Sequence, residues 1–165
     1  MDLCIIHCPQ SRRVGFLRYL LVFVFLSIII LQGLLSISDK SAIYDEVAHL
    51  PAGYSYFFTK NHKINQEHPP LIKLISAVPL LFLRLKYPAQ IESYKSNDSF
   101  SFGKDFLYRS GQDADKIIFL GRIPMILLSA ALGLLVFIWS KQLFGYRAGI
   151  FALFLFSFCP TILAY

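Results

Sequence analysis

Residues 19–38, YLLVFVFLSIIILQGLLSIS, contain no charged side chain. Twenty helical residues at about 1.5 Å each span about 30 Å, the thickness of the hydrocarbon core of a bilayer. The chain as a whole is 56% hydrophobic and 16% charged, whereas a soluble domain is about a quarter charged. Two further apolar stretches occupy residues 117–140 and 148–165. These features predict an all-α integral membrane protein with three transmembrane helices.

The first apolar run has an alternative interpretation as a cleaved signal peptide. The apolar core of such a peptide is about 7–15 residues long and precedes a small-x-small cleavage site. The run at 19–38 is longer, and no clear site of that kind follows it. We therefore expect a retained signal anchor.

The distribution of basic residues predicts the orientation. The tail, 1–18, carries three arginines and one aspartate, and the link at 141–147 carries two bases and no acid. Charges in the long segment 39–116 are nearly balanced. Because cytoplasmic loops are enriched in Lys and Arg, we expect a cytoplasmic tail, a cytoplasmic turn at 141–147 and an extracytoplasmic loop at 39–116. The predicted location is the cell membrane, with the N-terminus in the cytoplasm.

The predicted outer loop begins with a helix over 41–58. Ser41 is a suitable N-cap, and Asp45 and Glu46 would then lie near the first turn, where acids favour the helix dipole. Pro51 removes a backbone donor, so a kink or break is expected just before it.

Three more features of the loop allow local predictions. The apolar stretch 71–83 is short for a span and is divided by Pro79, which favours an interfacial helix on the outer leaflet. Residues 87–112 are polar and are interpreted as a surface loop. Asp113 and Asp115 form a D-x-D pattern, which we interpret as an N-cap and a first-turn acid rather than a metal site.

Acids and histidines cluster in two short motifs of this loop. Asp45 and His49 are four residues apart and share a helix face, and Glu67 precedes His68 and two prolines. Carboxylates favour Mg²⁺ or Mn²⁺, and added imidazoles make Mn²⁺ or Zn²⁺ suitable. The same residues could instead accept a proton from a hydroxyl or anchor the loop by ion pairs, and spacing alone leaves these three roles open.

The order of these motifs carries a resemblance to a known family. Tyr44-Asp45-Glu46, then Glu67-His68-Pro69-Pro70-Leu71, the arginine Arg122 at the start of the second run, and the closing stretch LFGYRAGIFALFLFSFCPTILAY resemble GT-C membrane glycosyltransferases. The chain is most similar to bacterial relatives of the dolichyl-phosphate-mannose protein mannosyltransferases and of the lipid A aminoarabinose transferase.

The resemblance implies an activity. It implies transfer of a sugar, with inversion, from a polyprenyl-phosphate donor to a hydroxyl of a protein, lipid or glycan acceptor on the outer face of the membrane. No nucleic-acid partner is expected. Relatives continue through more spans, so the chain is expected to be the N-terminal part of such an enzyme.

The resemblance also implies roles for individual residues. Asp45 is the expected base, and Glu46 is the second acid of the catalytic pair with a more structural part. His68 is a departure, because the aminoarabinose transferases tend to have lysine at that position. The remaining expected site residues are Glu67, His68 and His49 for a divalent metal (Mn, Mg or Zn) or substrate, and Arg122 for the lipid phosphate.

Two other classes of function remain open at this stage. A non-catalytic membrane scaffold or remnant would use the acidic motifs only as anchors. A transporter subunit is the third interpretation, and the near absence of charge within the apolar runs argues against it.

Overall fold

The computed structural model describes residues 12–38, 40–86 and 88–164, and these are helical or irregular, with no β-strand among them. The chain divides into two compact units, one formed by 1–32 with 129–165 and the other by 33–128. The N-terminal part of the predicted tail, 1–11, lies outside the described residues. The α-helices are α1 (Arg12–Ile37), α2 (Tyr44–Thr59), α3 (Pro70–Ala77), α4 (Ser99–Lys104), α5 (Ala114–Phe144), α6 (Tyr146–Ser157) and α7 (Pro160–Ala164).

Among the described residues, two helices are long and apolar enough to cross a membrane. Their candidate spans are Phe16–Ile37, of 22 residues, and Ala114–Phe144, of 31 residues. Only 11% and 17% of their most apolar windows are buried, which is typical of helices that face lipid. The prediction of an all-helical protein is confirmed, and the first two apolar runs form helices of spanning length. The third run, 148–165, forms the 12-residue α6 and then α7, so its crossing stays a prediction.

The predicted turn at 141–147 is shorter than expected. Helix α5 continues to Phe144, and α6 begins at Tyr146, so Gly145 alone links the two helices. Gly145 has a φ of 86°, a left-handed conformation that glycine adopts without steric penalty. Most of the residues assigned to the turn are therefore helical.

The first unit has a small apolar core between its helices. Val22 and Ile29 of α1 pack with Phe137 of α5 and Leu153 of α6. The Tyr146 hydroxyl donates a hydrogen bond of 2.9 Å to the backbone carbonyl of Arg18.

Helix α2 is the central element of the second unit, and it begins later than predicted. Its N-cap is Ile43, and the Glu46 carboxylate accepts a hydrogen bond of 2.9 Å from the Ile43 backbone N–H. The prediction of Ser41 as the N-cap is therefore wrong, because the Glu46 side chain caps a helix that starts three residues on. The expectation of acids in the first turn is confirmed for Asp45 and Glu46.

Pro51 does not break α2, which is helical from Tyr44 to Thr59. The missing N–H of Pro51 leaves the Val47 carbonyl without its usual helical partner. Gly103 of α4 packs against that carbonyl, and a Cβ at this glycine would lie 1.8 Å from the Val47 oxygen. Close backbone packing therefore covers the position at which the helix lacks a hydrogen bond.

The interpretation of 87–112 as a surface loop is wrong. The segment forms 3₁₀ turns at Pro88–Gln90 and Glu92–Ser96, then α4 and a π-helical turn at Asp105–Arg109. Its aromatic residues pack into the main core, where Phe102 and Phe106 are completely buried and Tyr94 is 7% exposed. Phe102 and Phe106 are four residues apart along α4 and the π-helical turn, so this helical face is apolar although the segment as a whole is polar.

Two local predictions are confirmed. The Asp113 carboxylate accepts a hydrogen bond of 3.0 Å from the Lys116 N–H, and Asp115 lies in the first turn of α5. The apolar stretch around Pro79 is divided as expected, because α3 ends at Ala77 and a 3₁₀ turn follows at Val78–Phe82.

Candidate functional site

The two acids at the start of α2 have different environments. Glu46 forms a bidentate ion pair with Arg122, with Nε–Oε1 and Nη2–Oε2 distances of 2.8 and 2.7 Å. The two residues are 76 positions apart in the chain. The side chains of Arg122 and Glu46 are 10% and 28% exposed, so the pair is largely removed from water. Paired geometry of this kind is the strongest arrangement between an arginine and a carboxylate.

Arg122 also holds the segment that leads into α2. Its Nη1 donates to the carbonyl of Lys40 at 2.9 Å and, more weakly, to that of Ile37 at 3.4 Å. Its Nη2 donates to the Ser41 carbonyl at 2.9 Å. With the two bonds to Glu46, all five N–H donors of the guanidinium are engaged. Binding of a lipid phosphate by Arg122 stays a prediction, and it requires Arg122 to exchange some of these partners.

Asp45 is exposed, in contrast to its neighbour. Within the described part of the chain, no hydrogen bond or ion pair engages its carboxylate. Adjacent residues on a helix point about 100° apart, so the Glu46–Arg122 ion pair fixes the start of α2 while the Asp45 oxygens stay accessible. A carboxylate that is held in place and still accessible could accept a proton or bind a cation.

Two predicted histidines, His49 and His68, come into contact. The rings of His49 and His68 are in edge-to-face contact, with centroids 5.0 Å apart. His49 Nδ1 is buried and has no hydrogen-bond partner among the described atoms. Burial lowers the pKa of His49, the charges of Lys73 and His68 lower it further, and the Asp45 carboxylate partly opposes them. Burial and the neighbouring positive charges thus favour the neutral form of the His49 imidazole.

Lys73 of α3 is the residue of this site that sequence reasoning missed. It is 3% exposed, and its ammonium donates to the Asn65 side-chain oxygen at 2.7 Å, the His68 carbonyl at 2.9 Å and the Asn65 carbonyl. Burial lowers the pKa of Lys73, and the Glu67 charge raises it to a smaller extent. The available signal was a single lysine within an apolar stretch, three residues after the double proline.

Close backbone packing places Lys73 in this position. Gly53 of α2 faces the Lys73 backbone, and a Cβ there would lie 2.1 Å from the Lys73 carbonyl oxygen. The contact brings α2 and α3 together, so the turn at 65–68 lies beside the residues that follow Asp45. The two acidic motifs are thus joined through His49, His68 and the Lys73 ammonium.

The predicted metal ligands do not form a ready coordination set. Glu67 and His68 are exposed. In residues 12–38, 40–86 and 88–164, no group of three or more His, Cys, Asp or Glu side chains is arranged to hold a metal ion. A divalent metal therefore stays a prediction that needs side-chain rearrangement.

No protein-family model, curated protein or solved structure matches this chain. The resemblance to GT-C glycosyltransferases thus stays a prediction that rests on the sequence motifs alone.

Proposed function

We propose that the chain is part of a membrane glycosyltransferase in which Asp45 is the general base. The observation that carries the proposal is that the two adjacent acids have different environments. Glu46 is engaged by Arg122 and by the Ile43 N–H, whereas Asp45 is exposed beside it. This is the arrangement that a base needs, with its backbone fixed and its oxygens open to a substrate.

The proposed substrates follow from the family resemblance. The donor is a sugar on a polyprenyl phosphate, and the acceptor is a hydroxyl of a protein, lipid or glycan. The acceptor oxygen forms a bond to the anomeric carbon while the bond from that carbon to the phosphate oxygen breaks. The hydroxyl proton moves to the Asp45 carboxylate, and the polyprenyl phosphate leaves as an anion, so the configuration inverts.

The other residues of the site support this step by position and charge. In the proposal, Arg122 acts through Glu46, because its donors are already engaged within the protein. The exposed His68 ring packs against His49, one helical turn from Asp45 on α2, and offers a polar contact to a sugar hydroxyl. Glu67 is exposed on the same turn and could bind a substrate group or, after rearrangement, a cation. The proposed location is the outer face of the cell membrane, with the N-terminus in the cytoplasm.

The test is transfer of labelled sugar from polyprenyl phosphate, measured in membranes that contain the protein expressed from its own gene. Asp45→Asn preserves the size of the side chain and removes its basicity. We expect turnover to fall by about 10²–10⁴-fold, with expression and insertion unchanged.

Asp115→Asn is the matched control. Asp115 is also an exposed acid at the second position of its helix, α5, so its substitution reproduces the loss of a first-turn charge. We expect near-parental transfer from this variant. Near-parental transfer from Asp45→Asn would refute the assignment of the base.

A non-catalytic scaffold is the second candidate, and one observation favours it. The Glu46–Arg122 pair ties α2, the segment before it and α5 together, which is what a purely structural anchor would do. A scaffold would show no sugar transfer in the parental protein or in either aspartate variant. Its function would depend on Arg122 rather than on Asp45.

A further inference from the structure

Helix α3 and the 3₁₀ turn after it have two unlike faces. The inward face carries Lys73, Ala77 and Leu80, all buried. The outward face carries large apolar side chains, and Phe82 is 87% exposed. The exposed apolar residues are Leu71, Ile72, Val78, Leu81 and Phe82.

An exposed apolar surface of this kind marks a contact with another apolar medium. Burial of large aliphatic and aromatic side chains is favourable, so the five exposed ones on this short segment favour its contact with an apolar medium. In an ordinary surface helix the charged side chains face water, whereas here Lys73 is buried. Its only base on the first turn points into the protein, and the apolar residues point out.

The charges next to this face identify its partner. Arg84 and Lys86 lie two and four residues after Phe82 and are both exposed, and residues 69–86 contain no acid. Exposed bases beside an apolar face are typical of segments that lie on an anionic lipid surface. The same compact unit contains the end of α1 and the first half of α5, both parts of helices with spanning length.

We propose that the outward face of α3 and its 3₁₀ turn lies in the surface of a bilayer that contains anionic phospholipid. Leu71, Val78 and Phe82 enter the boundary between headgroups and acyl chains. Arg84 and Lys86 pair with the lipid phosphates. The sequence predicted an interfacial helix; the structure assigns its lipid-facing side and its headgroup contacts. The inference does not depend on sugar transfer.

The test measures contact between position 82 and the lipid in reconstituted vesicles. Trp139, the one tryptophan of the chain, is first replaced by phenylalanine. Phe82→Trp then serves as the reporter, and Lys95→Trp, at an exposed site in a polar stretch, is the matched control. Circular dichroism checks that both variants keep the parental helix content.

Brominated phospholipid should quench the reporter at position 82 several-fold more strongly than the control at position 95. Equal quenching at the two positions would overturn the proposal. Quenching at position 82 that disappears when the protein-to-lipid ratio rises would also overturn it, because a second copy of the chain would then be the partner.

A second arm tests the headgroup contacts. Arg84→Gln with Lys86→Gln, in the Phe82→Trp background, should reduce the quenching in vesicles that contain phosphatidylglycerol. The same pair of substitutions should have no effect in vesicles of phosphatidylcholine alone. Parental quenching by the double variant in both kinds of vesicle would overturn the role of the anionic headgroups.

Discussion

Replacement of Arg122 by methionine tests the residue whose guanidinium holds Glu46 and the segment before α2. Methionine keeps much of the side-chain volume and removes all five donors. The Glu46 carboxylate loses both of its bonds to the guanidinium, and the carbonyls of Lys40 and Ser41 lose theirs. Glu46 keeps only its bond from the Ile43 N–H.

The expected loss of stability follows from the burial of the Glu46–Arg122 pair. Removal of one partner from a buried ion pair costs about 3–5 kcal/mol, because the other charge stays behind unpaired. The Glu46 side chain is 28% exposed, so water partly replaces the lost partner. We therefore expect a loss of about 3 kcal/mol in the free energy of unfolding, at the lower end of that range.

Thermal unfolding of the purified protein in detergent measures this loss. A loss of 1 kcal/mol lowers the Tm by about 2–4 °C in a chain of this size, so Arg122→Met should lower it by about 6–12 °C. Arg122→Lys keeps the charge and loses the fork of donors, and we expect a smaller decrease.

Arg109→Met is the matched control. Arg109 also pairs with an acid, Asp105, at 3.1 Å, but its side chain is 78% exposed. An exposed pair four residues apart on a helix is worth about 0.3–0.5 kcal/mol, so the Tm should change by about 2 °C or less. Equal decreases for Arg122→Met and Arg109→Met would refute the reasoning from burial. A double-mutant cycle of Arg122→Met with Glu46→Gln that gives no coupling free energy between the two residues would also refute it.

Two further predictions concern packing and pH. Gly103→Ala should lower the free energy of unfolding by about 3 kcal/mol or more, because its Cβ would lie 1.8 Å from the Val47 oxygen. Chemical denaturation measures this loss, and Gly111→Ala is the comparison. Space is open around Gly111 and only its φ of 74° opposes a side chain, so that variant should lose about 1–2 kcal/mol. His49 has a folded-state pKa below 6.5, so unfolding takes up a proton at this residue. Stability should rise with pH from the folded-state pKa to about 6.5 and then level off, and His49→Gln should flatten that part of a Tm–pH profile; an unchanged slope would contradict the assigned cause.

Local features of the sequence determined much of the helical structure. The uncharged runs form α1 and α5 because length and apolarity suffice for a spanning helix, whatever the rest of the chain does. Asp113 caps the N-terminus of α5, and α3 ends just before Pro79. Both effects depend only on residues a few positions away. Asp45 and Glu46 lie in a first turn as their sequence position predicts.

Only the tertiary structure decided the roles within the site. The partner of Glu46 is 76 residues away, and no local spacing encodes that distance. Lys73 is buried because Gly53 lets two backbones approach, and Phe102 is buried because α4 packs on α2, although its segment is polar on average. Helix formation depends on neighbours three or four positions apart, whereas burial and pairing depend on which distant segments meet. The sequence therefore predicted the helices and the acidic motifs, and the packing of α2 against α3, α4 and Arg122 determined which of the two acids stays accessible.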